Sequence, residues 1–251
     1  MNYRVIIGLP AYNEAAVLPG LLDAFGEMYH QNGEDYEVIV VNDGSTDKTG
    51  EILEEYSCHY PFINYISHPC NMGLGFAVKT LFSRVISLYN EHDVLITLDA
   101  DNTHNPRIIP DLIKKLKTEQ LNVVIASRFA DGGKEIGVSW NRRIYSRGAA
   151  YFFKMFFPIS NVKDYSCGFR AYDVGYLKAA LSLYDGQLIT TGGFECMAEI
   201  LARFSKIGVS AGEYPLVLHY DYKQGKSKMN VSRTIRGYFN LVGKIKTPLV
   251  H

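Results

Sequence analysis

The chain has 251 residues with 47% hydrophobic and 21% charged, enough apolar material for one large α/β domain. Its 26 basic and 26 acidic residues cancel, which excludes a molecule that binds polyanions such as nucleic acid over its whole surface. No run of 18 uninterrupted apolar residues occurs, so no membrane span is expected. Four scattered cysteines without a CxxC pair argue against a zinc site or a disulfide framework, and fit a reducing compartment.

In chain order, residues 4–9 read as a strand and 14–29 as a helix. Residues 37–42 form a second strand whose run Val38-Ile39-Val40-Val41 suits burial on both sheet faces. Ser45 or Thr46 is placed to cap a helix reaching about Tyr56. A short strand over 62–67, a helix over 75–89, a strand over 93–98, a helix over 106–119 and a strand over 122–127 follow. This βαβα alternation predicts a mostly parallel sheet flanked by helices, with a Rossmann-like nucleotide half over about 1–130. The acceptor half, about 131–251, is less regular. It holds an aromatic-rich helix at 140–157, a strand at 167–172, an amphipathic helix at 194–206, a strand at 213–219 and a helix at 232–246. No linker divides the halves, so one domain over 1–251 is expected.

Ligands of parallel sheets bind beyond the carboxyl ends of the strands. Three polar clusters fall there: Pro10-Ala11-Tyr12-Asn13-Glu14, Asn42-Asp43-Gly44-Ser45-Thr46-Asp47 and Asp99-Ala100-Asp101. A single acid at a strand end is usually a turn or cap residue. Glu14, Asp43, Asp99 and Asp101 converging on one edge repel one another unless a cation or hydrogen-bond donors intervene. Oxygen-only ligands point to Mg2+ or Mn2+ rather than zinc. The seven histidines show no metal-ligand spacing and receive no role.

The order PAYNE, NDGSTD and DAD, each after a buried strand, resembles the family 2 glycosyltransferases of GT-A fold. Ser127-Arg128-Phe129, Gly132-Gly133, Trp140-Asn141-Arg142-Arg143, Ser166-Cys167-Gly168-Phe169-Arg170 and Gly225-Lys226-Ser227-Lys228-Met229 extend the likeness over nearly the whole chain, toward the dolichyl- and polyprenyl-phosphate mannose synthases and their glucosyl relatives. The resemblance implies that Pro10, Tyr12 and Glu14 hold the base and ribose, that Val41 and Asp43 complete the nucleoside pocket, and that Asp99 and Ala100 line the sugar-nucleotide. Asp101 would ligate the metal, with Thr103 where several relatives supply a second ligand. Arg128, Arg142 and Arg170 would handle anions, since guanidinium suits bidentate phosphate contact, with Asp99, Asp101, Arg128 and Arg170 the catalytic set. Lys228 would reach a phosphate. Some relatives carry an arginine six residues before that lysine; here the position is Tyr222, with Lys223 beside it. Asp164 reads either as a base for a hydroxyl acceptor or as a loop acid.

The implied reaction is inverting transfer of mannose from GDP-mannose to a polyprenyl or dolichyl phosphate. UDP-glucose or UDP-N-acetylglucosamine as donor, a glycan hydroxyl as acceptor, and an inactive nucleotide-sugar-binding scaffold remain alternatives. A dehydrogenase is disfavoured because Gly73-Leu74-Gly75 lacks the third glycine of a GxGxxG fingerprint. A glycoside hydrolase would not need all three clusters. Residues 144–157 read either as a buried helix or as an interfacial one. Seven Lys or Arg and no acid from Tyr222 to His251 suit an anionic leaflet. A peripheral protein at the cytoplasmic face of a membrane, with a membrane-anchoring partner possible, is the corresponding location.

Overall fold

The computed structural model describes residues 3–32, 36–220 and 231–245, and within them every side chain except those of 31, 32, 141, 142 and 231–233. The first half runs β1 (Val5–Ala11), α1 (Leu18–Asn32), β2 (Tyr36–Asn42), α2 (Thr49–His59), β3 (Ile63–Ser67), α3 (Leu74–Leu88), β4 (Val94–Thr97), a 3-10 turn (Pro106–Ile108) leading into α4 (Ile109–Thr118), and β5 (Val123–Ser127). The second half adds β6 (Lys134–Ile136), α5 (Trp140–Phe156), β7 (Arg170–Asp173), α6 (Val174–Leu183), α7 (Cys196–Lys206), β8 (Ala211–Pro215), β9 (Val217–His219) and α8 (Val231–Lys244).

Seven strands form one sheet in the order β3-β2-β1-β4-β7-β5-β8, and β6 and β9 pair separately. Neighbours run parallel except around β7, which lies antiparallel to both β4 and β5. The second half therefore contributes β7 and β8 to the sheet that the first half begins. Strands β4 and β5 are buried at every position because helices cover both faces. In α4 the buried set Ile109, Leu112, Ile113 and Leu116 follows the helical repeat and faces the sheet.

Several elements differ from expectation for identifiable reasons. Helix α2 starts at Thr49, not behind Ser45 or Thr46, because those oxygens and amides are used across the loop by Asn13. Asn13 N donates to Ser45 Oγ at 2.9 Å, and Thr46 N donates to Asn13 Oδ1 at 2.7 Å. Helix α6, unforeseen, is capped by Asp173, whose side chain accepts from Tyr176 N at 2.9 Å. Helix α7 is buried from Cys196 through Phe204 rather than on one face; Phe204 packs edge-on against Tyr172 of the sheet and Tyr176 of α6, and Arg203 lies over the Tyr184 ring. The strand expected over 213–219 is two, split at Leu216.

Candidate active site

Strand β1 has β2 on one side and β4 on the other, so the chain reverses its winding direction there, and a crevice opens at the strands' carboxyl ends. A cavity of about 780 Å³ occupies that position. Pro10, Tyr12, Glu14, Asp43, Asp99, Ala100, Asp101, Thr103 and Arg128 all line it. The loops after β1 and β2 are stitched together: Glu14 N donates to Thr49 Oγ1 at 2.9 Å and Ala15 N to Asp47 Oδ2 at 3.1 Å. Ser45, Thr46 and Asp47 thus hold the PAYNE loop, while Asp43 of the same cluster faces the cavity.

Asp43 is 3% exposed. It accepts from Met72 N at 3.0 Å and Gly73 N at 2.7 Å, and contacts His68 Nδ1 at 2.7 Å. Asp43 therefore also anchors the segment 71–74, which forms the neighbouring wall. Asp101 Oδ1 accepts from Thr103 Oγ1 at 2.6 Å and from Thr103 N at 3.2 Å, which brings two oxygen ligands side by side. Asp99 reaches over the backbone of Gly168, where a Cβ would lie 3.1 Å from its Oδ1. Among the described residues no group of three or more His, Cys, Asp or Glu is arranged to hold a metal by itself. The oxygen donors of Asp99, Asp101 and Thr103 fit Mg2+ or Mn2+, which takes one or two carboxylates from the protein and the rest from phosphates and water.

Arg128 donates to Asp164 through Nε and Nη2, both at 2.7 Å, and to Ser166 Oγ at 2.7 Å. Burial works against both charges, but each more than offsets that for the other. Asp164 is held below its ordinary value of 3.8, and Arg128 is held above its own. Asp164 also accepts from the backbone of Arg128, Ser166 and Cys167, and it is fully buried away from the cavity wall. The geometry makes it the anchor of Arg128, not a base. Burial pushes the Cys167 thiol, on the cavity wall, up to about 12.

Two expected site residues lie elsewhere. Val41 is fully buried within β2, where covering helices leave neither face open. Arg170 is also fully buried and donates to the carbonyls of Cys167 and Tyr165 and to the Tyr172 hydroxyl, so it braces the 165–170 turn instead of meeting an anion. The side chain of Arg142 and all of Tyr222, Lys223 and Lys228 lie outside the described residues.

The structure adds residues that the sequence did not single out. His104 lines the cavity, with Nδ1 3.4 Å from Asp99 N, and its place three residues after Asp101 was a usable signal. Glu135, Ser146, Glu195, Thr234 and Tyr238 line the far side. Ser146 Oγ is buried without a hydrogen-bond partner among the described residues. Six carboxylates, from Glu14, Asp43, Asp99, Asp101, Glu135 and Glu195, face one arginine among the described lining residues. That arginine is already paired, so an anionic ligand here needs added cations.

The fold and crevice define an α/β transferase of the GT-A type. The model of the family described as "Glycosyl transferase family 2" matches residues 6–181, and the chain belongs to that family. It is a glycosyltransferase. It is 28% identical over 227 residues to an undecaprenyl-phosphate mannosyltransferase of Micrococcus luteus, covering 90% of this chain and 88% of that one. It is 31% identical over 207 residues to a dolichol-phosphate mannosyltransferase of Pyrococcus furiosus, covering 81% of this chain but only 54% of that protein. It is 29% identical over 247 residues to a dolichyl-phosphate beta-glucosyltransferase of Trichomonas vaginalis, covering 93% and 68%. Among solved structures, glucosyl-3-phosphoglycerate synthase from Mycobacterium tuberculosis superposes with a TM-score of 0.71 at 17% identity, over 96% of this chain and 81% of that one. A complex of that enzyme contains Mn2+ and UDP.

Proposed function

We propose that the chain transfers a hexose, with inversion, from a nucleoside-diphosphate sugar to a polyprenyl phosphate at a membrane surface. The observation that carries this reading is the lip of the cavity. Helices α5 and α8 meet there, with Phe152 and Phe239 rings 5.0 Å apart and Phe153 and Tyr238 rings 4.8 Å apart. Tyr145, Ile235 and Tyr238 face the cavity, while Trp140, Tyr151, Met155 and Phe239 are each more than half exposed. Neither helix contains an acid, and Arg143, Arg147, Lys154, Arg236 and Lys244 stand among the aromatics. Apolar and cationic together, this lip suits an anionic lipid surface and a lipid-tailed acceptor. No helix among the described residues is long and apolar enough to cross a membrane, so attachment by this lip would be peripheral. The four cysteines are all free thiols, in keeping with the cytoplasmic face.

Pro10, Tyr12, Glu14 and Asp43 would take the nucleoside, and Asp99 and Ala100 the sugar-nucleotide. Asp101 and Thr103 would hold Mg2+ or Mn2+, which supplies charge neutralisation for the diphosphate leaving group. An acceptor phosphate oxygen attacks the anomeric carbon as the bond to the diphosphate oxygen breaks. A phosphate monoester with a second pKa near ~6 is already ionised, so the site orients the acceptor and needs no proton acceptor. Arg128 and Ser146, with Arg142 and Lys228, would contact that phosphate. GDP-mannose is the first choice of donor, supported by two mannosyltransferase relatives, and UDP-glucose the second, supported by the glucosyltransferase relative. The cavity carboxylate of Glu195 favours a second reading, in which it serves as base for a hydroxyl acceptor.

Thermal shift with GDP, UDP and ADP, each with and without Mn2+, followed by transfer assays on undecaprenyl and dolichyl phosphate in vesicles, tests both readings. Metal-dependent stabilisation by GDP or UDP and label in the lipid phosphate are expected. Transfer to a soluble glycan alone, abolished by Glu195→Gln, would establish the second reading and overturn the first.

A further inference from the structure

Glu199 lies on α7, fully buried and behind the cavity wall. Its Oε1 accepts from Thr190 Oγ1 at 2.6 Å and from Arg203 Nε and Nη2 at 3.1 and 3.0 Å. Its Oε2 accepts from Thr190 N and Thr191 N, each at 3.0 Å, and from Thr191 Oγ1 at 2.8 Å. A carboxylate offers about four lone-pair sites, so this one is saturated. Most of its donors belong to Thr190 and Thr191, which run directly into the cavity-lining segment 192–195.

That segment touches the opposite wall. Gly75 N donates to Gly192 O at 3.0 Å. A Cβ on Gly75 would lie 1.8 Å from Thr191 O, and one on Gly73 would lie 2.3 Å from Gly192 O, so the two backbones are in direct contact. The other side of the 71–75 loop hangs on Asp43. Asp43 is in turn braced by His68, whose Nε2 is 2.9 Å from Thr80 Oγ1. Asp43 from β2 therefore holds the loop directly, and Glu199 from α7 holds the 190–191 backbone that runs into the loop's contact at Gly192.

We propose that Glu199 is a positioning residue for the transfer reaction. It fixes the 190–193 backbone and, through the Gly192 to Gly75 contact, sets the 71–75 loop that walls the donor site. The inference rests on reading the cavity as a nucleotide-sugar site. Displacing a site wall by about 1 Å costs on the order of a hundredfold in rate, so a saturated carboxylate behind it has a catalytic consequence without touching substrate. Arg203 provides the control: it completes the same ion pair but bonds to no cavity segment, its guanidinium lying 4.9 Å over the Tyr184 ring.

Glu199→Gln and Arg203→Met each break the ion pair, and both should lower the melting temperature. The two are compared in the free protein by amide hydrogen exchange of peptides covering 71–75 and 190–193. Dissociation constants for GDP and UDP with Mn2+ are measured alongside. Glu199→Gln should speed exchange in both segments and weaken the nucleotide that the wild type binds by about tenfold, as loss of one directed hydrogen bond does. Arg203→Met should leave the 71–75 exchange and the nucleotide affinity near wild type. Unchanged 71–75 exchange in Glu199→Gln, or equal effects in both variants, overturns the proposal. If Glu199→Gln does not fold, Thr191→Val, which removes one donor and no charge, is read by the same criteria. A wild type that binds neither nucleotide would overturn the donor-site reading, while the exchange comparison still decides this one.

Discussion

Removal of the Asp164 side chain separates an anchor from a base. In the structure Asp164 is fully buried, accepts two 2.7 Å hydrogen bonds from the Arg128 guanidinium, and ties down three backbone amides of 128 and 166–167. Asp164→Ala leaves Arg128 largely desolvated, with the Ser166 hydroxyl as a neutral partner and the more distant Glu135, 3.7 Å away, as its charged one. Stranding one member of a buried pair costs about 3–5 kcal/mol. For a domain of this size each kcal/mol lowers the melting temperature by roughly 2–4 °C, so a fall of about 6–20 °C is expected. Loss of a general base instead removes about 10²–10⁴ in kcat and leaves the melting temperature alone. Thermal denaturation and transfer kinetics, both on Asp164→Ala, distinguish the two, with kinetics measured well below the transition. A melting temperature within a degree or so of wild type, combined with a collapse of kcat at unchanged KM, would refute the anchoring argument.

Asp101→Ala should abolish the Mn2+-dependent part of nucleotide stabilisation in thermal shift while the protein stays folded; retention of that part would remove Asp101 from the metal site. Arg170→Met should lower the melting temperature by stranding the carbonyls of Tyr165 and Cys167, yet leave the donor KM within about twofold; a large KM change would return Arg170 to the anion site. The folded carboxyl of Asp164 is depressed, so its stabilisation is complete above its ordinary value of 3.8 and is lost as pH falls through the folded value. Glu213 acts oppositely. Burial raises its folded value, so its contribution is present below 4.5 and is lost as pH rises through the folded value. Acid titration of the melting temperature should therefore show a steep fall below pH 3.8 that Asp164→Asn flattens. Lys154→Gln with Arg236→Gln should weaken sedimentation with anionic vesicles by roughly 30-fold at low salt, at about 1 kcal/mol per charge; salt-independent, undiminished binding would refute the membrane lip.

The strand-end clusters were readable because each combines a run of β-branched residues with turn chemistry, and parallel topology then forces those ends together. That logic placed Pro10, Tyr12, Glu14, Asp43 and the 99–103 segment correctly on the cavity wall. Val41, whose role came from the family resemblance and not from that logic, has its side chain buried within β2 and off the cavity wall. Arg170, also implied by the resemblance, gives its guanidinium to the carbonyls of Cys167 and Tyr165, partners that a polar-looking turn conceals in the sequence. The Arg128–Asp164 pair spans 36 residues and left no local trace. Glu199 and Arg203 stand four apart, a spacing common on exposed helices; their burial comes from partners distant in sequence from the pair, Thr190 and Thr191 around Glu199 and the Tyr184 ring against Arg203. His68 and His104 escaped notice because their partners are a carboxylate and an amide, and a search for metal spacing passes over both.

The antiparallel strand β7 has a bearing on how the protein is made. Thr97 at the end of β4 waits for Gly168, 71 residues later, and Asn122 before β5 waits for Ser210, 88 residues later. Until those segments leave the ribosome, the edges of β4 and β5 stand unpaired, apolar and open to pairing with other chains. Contacts of such long sequence separation also form slowly. Arg128 and the cavity wall from Glu135 to Tyr238 are also encoded late, so the crevice closes only after most of the second half has been translated, and a nascent chain halted near residue 130 is a client for chaperones.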